Sequence, residues 1–283
     1  MKINGTDFEY IRKLVRDRTG VDLTSDKEYL VESRLAPLAR DAGASSMQEL
    51  VRLLRSKPFD GLHKQVLESM MTTETLFFRD RLPFEALKQF ILPELIQKRQ
   101  VERSLHIWCA ACSSGQEPYS IAILLGENFP QLVNWSVQSI ASDISTQMLD
   151  RARQGIYNQH EVSRGLPPTL LLKYFDRRGK DWQIKPEIRQ MIHWRQINLA
   201  EPWPAMPPMD IIFLRNVLIY FDVATKQAIL ARVRRLLRSD GYLFLGGGET
   251  TIHLDDAFRP VKLGKALCYQ HTKKLVISGK YGT

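Results

Sequence analysis

Apolar positions follow two different periods along this chain, and the change between them divides it. Across residues 6–71 they recur every three or four residues, which predicts helices at 8–18, 27–42, 46–55 and 59–71 and little strand. In the first of these, Phe8, Ile11 and Val15 form the stripe, Thr6-Asp-Phe-Glu9 has the pattern of a capping box, and Gly20 supplies a stop. Pro37 falls inside the second helix and predicts a kink. Met70-Met-Thr-Thr-Glu-Thr-Leu-Phe-Phe-Arg79-Asp then interrupts the period with threonines and aromatics. Paired phenylalanines beside an arginine suit a segment packed against something better than a free linker. A helix over 81–100 leads into the remainder.

Beyond residue 104, short apolar runs bounded by turn residues take over. Leu105-His-Ile-Trp-Cys-Ala110 suits a buried strand, Cys112-Ser-Ser-Gly115 a turn of small residues, and Pro118 the start of a helix. A strand–loop–helix unit of this kind holds a ligand at the carboxyl end of its strand, where Ala110, Ala111, Ser113, Ser114 and Gly115 let the backbone approach closely. A second strand, 136–143, ends on Asp143 and precedes a helix over 145–154. Residues 155–197 break the alternation. There Asp181-Trp-Gln-Ile-Lys185 and Met191-Ile-His-Trp-Arg195 alternate in polarity and are expected to pair antiparallel in a small β insert. The α/β pattern resumes with strand 209–214, helix 224–238 and strand 241–245, and closes with strands 258–264 and 266–271. With no helix between them the last two are antiparallel, unlike the wholly parallel sheet of a dehydrogenase. The expected organisation is a helical N-terminal domain and linker over 1–80, an α/β domain over 81–272 containing the insert 155–197, and a tail over 273–283.

Composition narrows the class. The chain has 283 residues, enough for two domains, and no run approaches the roughly 18 apolar residues of a membrane span. Its first residues, Met-Lys-Ile-Asn-Gly, lack the apolar stretch of a signal peptide, so a cytoplasmic protein without direct membrane insertion is expected. The three cysteines suit reduced thiols. Cys109-Ala-Ala-Cys112 has CxxC spacing but no second pair, and no metal site is expected. The net charge of +9 lies wholly after residue 80, since residues 1–80 hold 13 basic and 13 acidic side chains and 81–283 hold 27 and 18. A solvated basic surface and a nucleic-acid-binding surface both fit that excess.

Two acids carry the chemistry. A phosphate-cradling loop ends in Lys-Ser or Lys-Thr and keeps carboxylates from its ligand, whereas this loop places Glu117 at the helix entrance and has no lysine. Glu117 thus faces a cation or a ribose, or only complements the helix dipole. Asp143, 28 residues after Gly115, stands where dinucleotide-type folds keep an acid for ribose hydroxyls, and equally where a helix cap is needed.

An acid after the first loop, an acid at the second strand's tip and a terminal antiparallel strand together resemble the S-adenosylmethionine-dependent methyltransferases, with their Rossmann-like sheet. More narrowly, Thr75-Leu-Phe-Phe-Arg79, Ala110-Ala-Cys-Ser-Ser-Gly-Gln-Glu-Pro-Tyr-Ser120, Ala141-Ser-Asp143-Ile and Arg215-Asn-Val-Leu-Ile-Tyr-Phe221 resemble the motifs of the chemotaxis receptor glutamate methyltransferases, in order and over residues 6–272. The resemblance implies an α/β methyltransferase domain, an all-helical N-terminal domain and a small antiparallel β insert. It implies S-adenosylmethionine as cofactor, with Thr73, Thr75, Arg79, Glu117, Asp143, Asn198, Leu199, Asn216 and Val217 around it, Asp143 on the ribose and Glu117 on the methionine ammonium. Thr73 departs from the family, which usually has asparagine there. Arg79 and Tyr220 are implied beside the reacting atoms, and Lys27, Arg34 and Arg40, on the second helix, against the acidic methylation helices of a chemoreceptor's cytoplasmic part. A solvated face is the plainer account of those three cations.

The implied product is a glutamate methyl ester, and the enzyme is expected to act as a monomer. A glutamate is already an anion at neutral pH, so attack on a sulfonium methyl needs alignment and not a general base. Arg79 is therefore assigned to positioning and cofactor contact. The insert's loop, Arg177-Arg-Gly-Lys-Asp181, resembles the shorter form in a family whose longer form grips a peptide at a receptor's C-terminus, which predicts action without that tether. Two other classes stay in view. An RNA or other nucleic-acid methyltransferase would suit the basic charge, but the Asn/Asp-Pro-Pro-aromatic motif of base-amino methylation is absent and no nucleic-acid partner is expected. A non-catalytic S-adenosylmethionine sensor would be favoured by loss of Glu117 or Asp143, and both are present.

Overall fold

The computed structural model describes residues 1–272. Four helices open the chain, α1 (Gly5–Thr19), α2 (Glu28–Asp41), α3 (Met47–Arg55) and α4 (Gly61–Met70). Each buries the stripe its period defines, Phe8, Ile11 and Val15 on α1 and Met47, Leu50, Val51 and Leu54 on α3. The expected capping box at Thr6 is not what starts α1. Asn4 is the N-cap, its side chain accepting from the Asp7 backbone N–H at 2.8 Å, which moves the cap two residues earlier. Gly20 ends the helix in the left-handed conformation, its N–H donating to Arg16 O. Helix α2 continues through Pro37 to Asp41, with Pro37 on its exposed face.

The stretch expected as one helix over 81–100 is α5 (Leu82–Ala86), a π-helical turn (Leu87–Ile91) and α6 (Leu92–Lys98). Pro93, early in α6, has no N–H for the preceding turn, a reason for the ladder to widen there. Strand β1 (Ser104–Ala110) then leads to α7 (Gln116–Asn128), and β2 (Ser136–Asp143) to α8 (Thr146–Gln154). The insert follows, with β3 (Ile156–Tyr157), α9 (Gln159–Ser163), α10 (Pro168–Tyr174), β4 (Phe175–Arg178), β5 (Asp181–Ile184) and α11 (Pro186–Arg189). After β6 (Ile192–Gln196) and β7 (Met209–Leu214) come α12 (Val223–Leu236), β8 (Leu237–Leu245), β9 (Phe258–Leu263) and β10 (Ala266–His271).

The main sheet has seven strands in the order β6-β2-β1-β7-β8-β10-β9, and the insert a separate three-stranded sheet in the order β3-β5-β4. One expected pairing is corrected. Residues 191–195 do not pair with 181–185, because β6 runs parallel to β2 at the edge of the main sheet, while β5 pairs antiparallel with β3 and β4. The closing hairpin is antiparallel as expected, with β10 antiparallel to β8. Alternate residues of the central strands enter two cores. Ile107, Cys109, Ile211 and Phe213 pack under α5–α7, while Trp108, Ala110, Ile212 and Leu214 join a core shared with α12 and the four N-terminal helices. Burial on both faces explains why these strands read as unbroken apolar runs.

Candidate functional site

Chain order along the main sheet reverses between β1 and β7, and a cleft opens there at the carboxyl ends of β1, β2 and β7. It encloses about 980 Å³, counting the solvent at its mouth. All nine residues expected around a cofactor line it, Thr73, Thr75, Arg79, Glu117, Asp143, Asn198, Leu199, Asn216 and Val217, and so does Tyr220. Thr19, Val21, Met70 and Met71 also line it, so the helical N-terminal segment supplies part of the wall, which the sequence did not indicate. An antiparallel bridge between Val21 and Phe221 and a 2.9 Å bond from the Asp22 N–H to Tyr220 O join that segment to the Tyr220 turn.

The loop after β1 is held in a shape that leaves its backbone open to a ligand. Ala111 and Ser113 adopt φ of 55° and 50°, the left-handed region that costs a side-chain-bearing residue on the order of 1–3 kcal/mol. Asp143 offsets that cost, one carboxylate oxygen accepting from the Ser113 N–H at 2.8 Å and the other from the Ser145 N–H at 2.9 Å. The Ser113 hydroxyl donates to Thr73 O at 2.6 Å and ties the loop to the segment before α5. At Gly115, φ is +94° and a Cβ would lie 3.0 Å from both Ala152 and Trp194, so glycine is required. Burial pushes the Asp143 carboxyl above its ordinary range, opposed by the Ser145 and Ser113 N–H groups.

Glu117, in the first turn of α7, has a partner that the sequence analysis missed. Arg215, at the end of β7 and with its side chain 1% exposed, donates to Glu117 at 2.7 Å, to Asp80 at 2.6 Å and to Arg79 O at 3.2 Å. Burial still pushes the Glu117 carboxyl above its usual range, with Arg215 the main opposing influence. Sequence had offered Arg215 only as part of the Arg215–Phe221 motif; a lone cation ending a buried strand was the signal that a buried acid must lie nearby.

Residues 71–80 form a strap, of which Met71–Thr75 and Arg79 line the cleft. Arg79 donates to Glu74 O at 3.1 Å, Glu74 pairs with Arg164 of the insert at 2.9 Å, and the Phe78 N–H donates to the Ser120 hydroxyl at 2.9 Å. Arg34 also belongs here. Its guanidinium donates to Met70 O at 2.7 Å, Met71 O at 3.1 Å and Thr72 Oγ1 at 3.2 Å, capping α4 and pinning the strap. The three cations that the resemblance implies for docking stand in different settings. Lys27, just before α2, lies 3.3 Å from its neighbour Asp26, Arg40 is exposed, and Arg34 is occupied within the chain. Asn198 is likewise engaged, donating to Arg18 O at 2.8 Å while lining the cleft.

Three acids, Glu74, Glu117 and Asp143, a strained small-residue loop and the apolar side chains of Met71, Ile144 and Leu199 fit a nucleoside that carries a cationic amino-acid chain. The lining has no lysine, and of its two arginines Arg215 is already paired with Glu117 and Asp80. Cys109 and Cys112, the latter in the lining, are buried, and burial raises both thiols well above their ordinary range, which leaves them as packing groups. No helix among the described residues is long and apolar enough to cross a membrane.

Comparison with known proteins agrees with this chemistry. Residues 73–267 match the family model described as CheR methyltransferase, SAM binding domain, and residues 6–71 match that of the CheR methyltransferase all-alpha domain. The chain is 40% identical over 275 residues to the chemotaxis protein methyltransferase Cher2 of Pseudomonas putida, covering 95% of this chain and 99% of that protein. It is 42% identical over 275 residues to chemotaxis protein methyltransferase 1 of Pseudomonas aeruginosa, with the same coverage, and 36% identical over 272 residues to chemotaxis protein methyltransferase 1 of Vibrio cholerae, covering 95% and 98%. Matched along nearly its whole length, with S-adenosylmethionine as its cofactor, the chain belongs to the CheR methyltransferase family.

Proposed function

We infer that this chain methylates glutamate side chains on the cytoplasmic methylation helices of chemoreceptors, producing methyl esters in chemotaxis adaptation or related signalling. The observation that carries the reading is the meeting of Arg79, Glu117, Asp143, Asn216 and Tyr220 in one cleft at the sheet's switch point, in a chain whose relatives bear chemotaxis methyltransferase names. Bound there, S-adenosylmethionine supplies an electrophilic sulfonium methyl. Glu117 is suited to the ammonium of its amino-acid end and Asp143 to the ribose hydroxyls, since each carboxylate keeps acceptor capacity beyond its present bonds. Arg79 and Tyr220, at the same cleft, are assigned to aligning the incoming carboxylate, and no base is required because that carboxylate is already ionised. Charge is lost as the ester forms, so transfer is favoured to the extent that bound cofactor and receptor exclude water from the cleft.

The deciding experiment is transfer of labelled methyl from S-adenosylmethionine to a receptor cytoplasmic fragment and, in parallel, to RNA. A base-labile label on glutamate is expected; label on RNA alone would transfer the chain to the nucleic-acid class. The same assay tests independence from a C-terminal peptide tether. In the insert Arg178 pairs with Asp181, leaving a two-residue turn of Gly179 and Lys180, and the open edge β4 is only four residues long, little on which to add a peptide strand. Receptor truncated before such a peptide should be methylated as fast as the full-length receptor. Micromolar binding of an isolated receptor C-terminal pentapeptide would refute that part of the reading.

Docking is assigned to Lys27 and Arg40, and Arg34 is expected to behave differently. The Lys27→Ala/Arg40→Ala protein should lose receptor methylation at physiological salt, with a deficit that narrows as added salt screens the same contacts in the unaltered chain, while S-adenosylmethionine affinity holds. Arg34→Ala should weaken cofactor binding as well, because it frees the strap that lines the cleft. Calorimetry on the two variants separates these outcomes, and undiminished methylation by the double variant would return Lys27 and Arg40 to a solvated face.

A further inference from the structure

The turn that carries Asn216, Val217 and Tyr220 is shaped by a residue outside every motif discussed so far. Glu249, in the loop after β8, is buried, and its two carboxylate oxygens accept from four backbone N–H groups. Oε2 accepts from Gly246 at 2.6 Å and Asn216 at 2.7 Å, and Oε1 from Val217 at 2.9 Å and Ile219 at 3.3 Å. Three of these donors belong to the turn after β7 and the fourth to the end of the neighbouring parallel strand. One anion thus gathers the carboxyl ends of two strands into a nest of N–H groups. Without it, a turn in which Asn216 sits at φ 58° would present unpaired buried donors and lose the contact that compensates its left-handed backbone.

The geometry points to Glu249 as a positioning residue for methyl transfer, acting through the turn that presents Asn216, Val217 and Tyr220 to the cleft. The inference rests on the functional reading above and adds a residue to its machinery. It makes a chemical demand that bulk alone does not meet. Both oxygens accept, so an amide of the same shape must turn its NH2 toward one pair of N–H groups. Gly246 makes the same point from the other side. A Cβ there would lie 2.6 Å from Asn216 Nδ2 and 2.7 Å from Glu249 Oε2, so alanine would press on the same turn.

Glu249→Gln is expected to lower kcat on the order of 10- to 100-fold while the receptor KM stays within about twofold, because misplaced reacting groups cost rate more than docking. If Glu249 acts through Tyr220, adding Tyr220→Phe to Glu249→Gln should cost little more, whereas additive losses would overturn the inference. Should Glu249→Gln not fold, Gly246→Ala is read in its place, with the same non-additivity expected. Wild-type kcat in whichever variant folds overturns it as well. Calorimetry with S-adenosylhomocysteine, which needs no receptor, keeps this test apart from that of the substrate. If the unaltered chain transfers no methyl to receptor fragments, the substrate reading fails, while a weakened affinity of the variant still supports Glu249 as the shaper of Asn216 and Val217. In that case unchanged affinity removes it.

Discussion

Arg215→Met is expected to destabilise the ligand-free protein by about 3–5 kcal/mol at neutral pH, the usual cost of removing one partner from a buried ion pair. Methionine fills much of the volume, so the loss reports charge more than packing. What remains is Glu117, 12% exposed, without its cation, and Asp80, whose 53% exposure lets water take over its share. The pH dependence identifies the charge responsible. Burial already holds Glu117 above its ordinary range with Arg215 present, and removing the arginine raises it further. A carboxyl whose folded pKa exceeds its unfolded one penalises the folded state in full above the folded pKa. Between the two values the folded chain takes up a proton that the unfolded chain does not, and the penalty fades. The deficit should therefore shrink as pH falls from neutrality toward the carboxylate range. Urea unfolding of both proteins at neutral pH and about two units lower checks this; an equal deficit at both would show that Glu117 is not the group left exposed to its own charge.

For Asp143→Ala the expected loss is double, in stability and in affinity. The variant strips the Ser113 and Ser145 N–H groups of their acceptor in a buried setting, at about 1–3 kcal/mol for each unsatisfied donor. It also removes the charged acceptor assigned to the ribose, worth roughly 1.5–3 kcal/mol, or about 10- to 150-fold in dissociation constant. Asp143→Asn retains shape and one acceptor, so it should recover part of the stability and less of the affinity. Calorimetric titration with S-adenosylmethionine, beside a thermal melt of each variant, reads the two losses separately. Affinity unchanged in a folded Asp143→Ala protein would limit Asp143 to supporting the loop.

How much of this was legible beforehand follows from the range of the forces involved. Periods of apolar residues come from each element's own geometry, so the four N-terminal helices, the β1–loop–α7 unit and the closing hairpin were readable from local spacing. The place of Glu117 and Asp143 in the cleft was readable too, because a helix entrance and a strand tip after the first two strands both open on the carboxyl end of the sheet. Partner choice was not. The alternating stretch at 191–195 has the pattern of any half-buried strand, and only the assembled sheet decided that it lies parallel to β2 and not beside β5. The cap of α1 went to Asn4 over Thr6 because one side chain reached a free N–H, a competition that composition does not settle. Arg34 shows the limit most plainly. A cation on a helix face looks the same whether it awaits an acidic partner or caps the helix beside it, and its role followed from where α4 ends. Arg215 and Glu117 stand 98 positions apart, and Glu249 lies 33 from Asn216. Such pairs are set by which strands lie side by side, and strand order is decided by burying both faces of the sheet at once, a property of the whole fold that no stretch of sequence holds by itself.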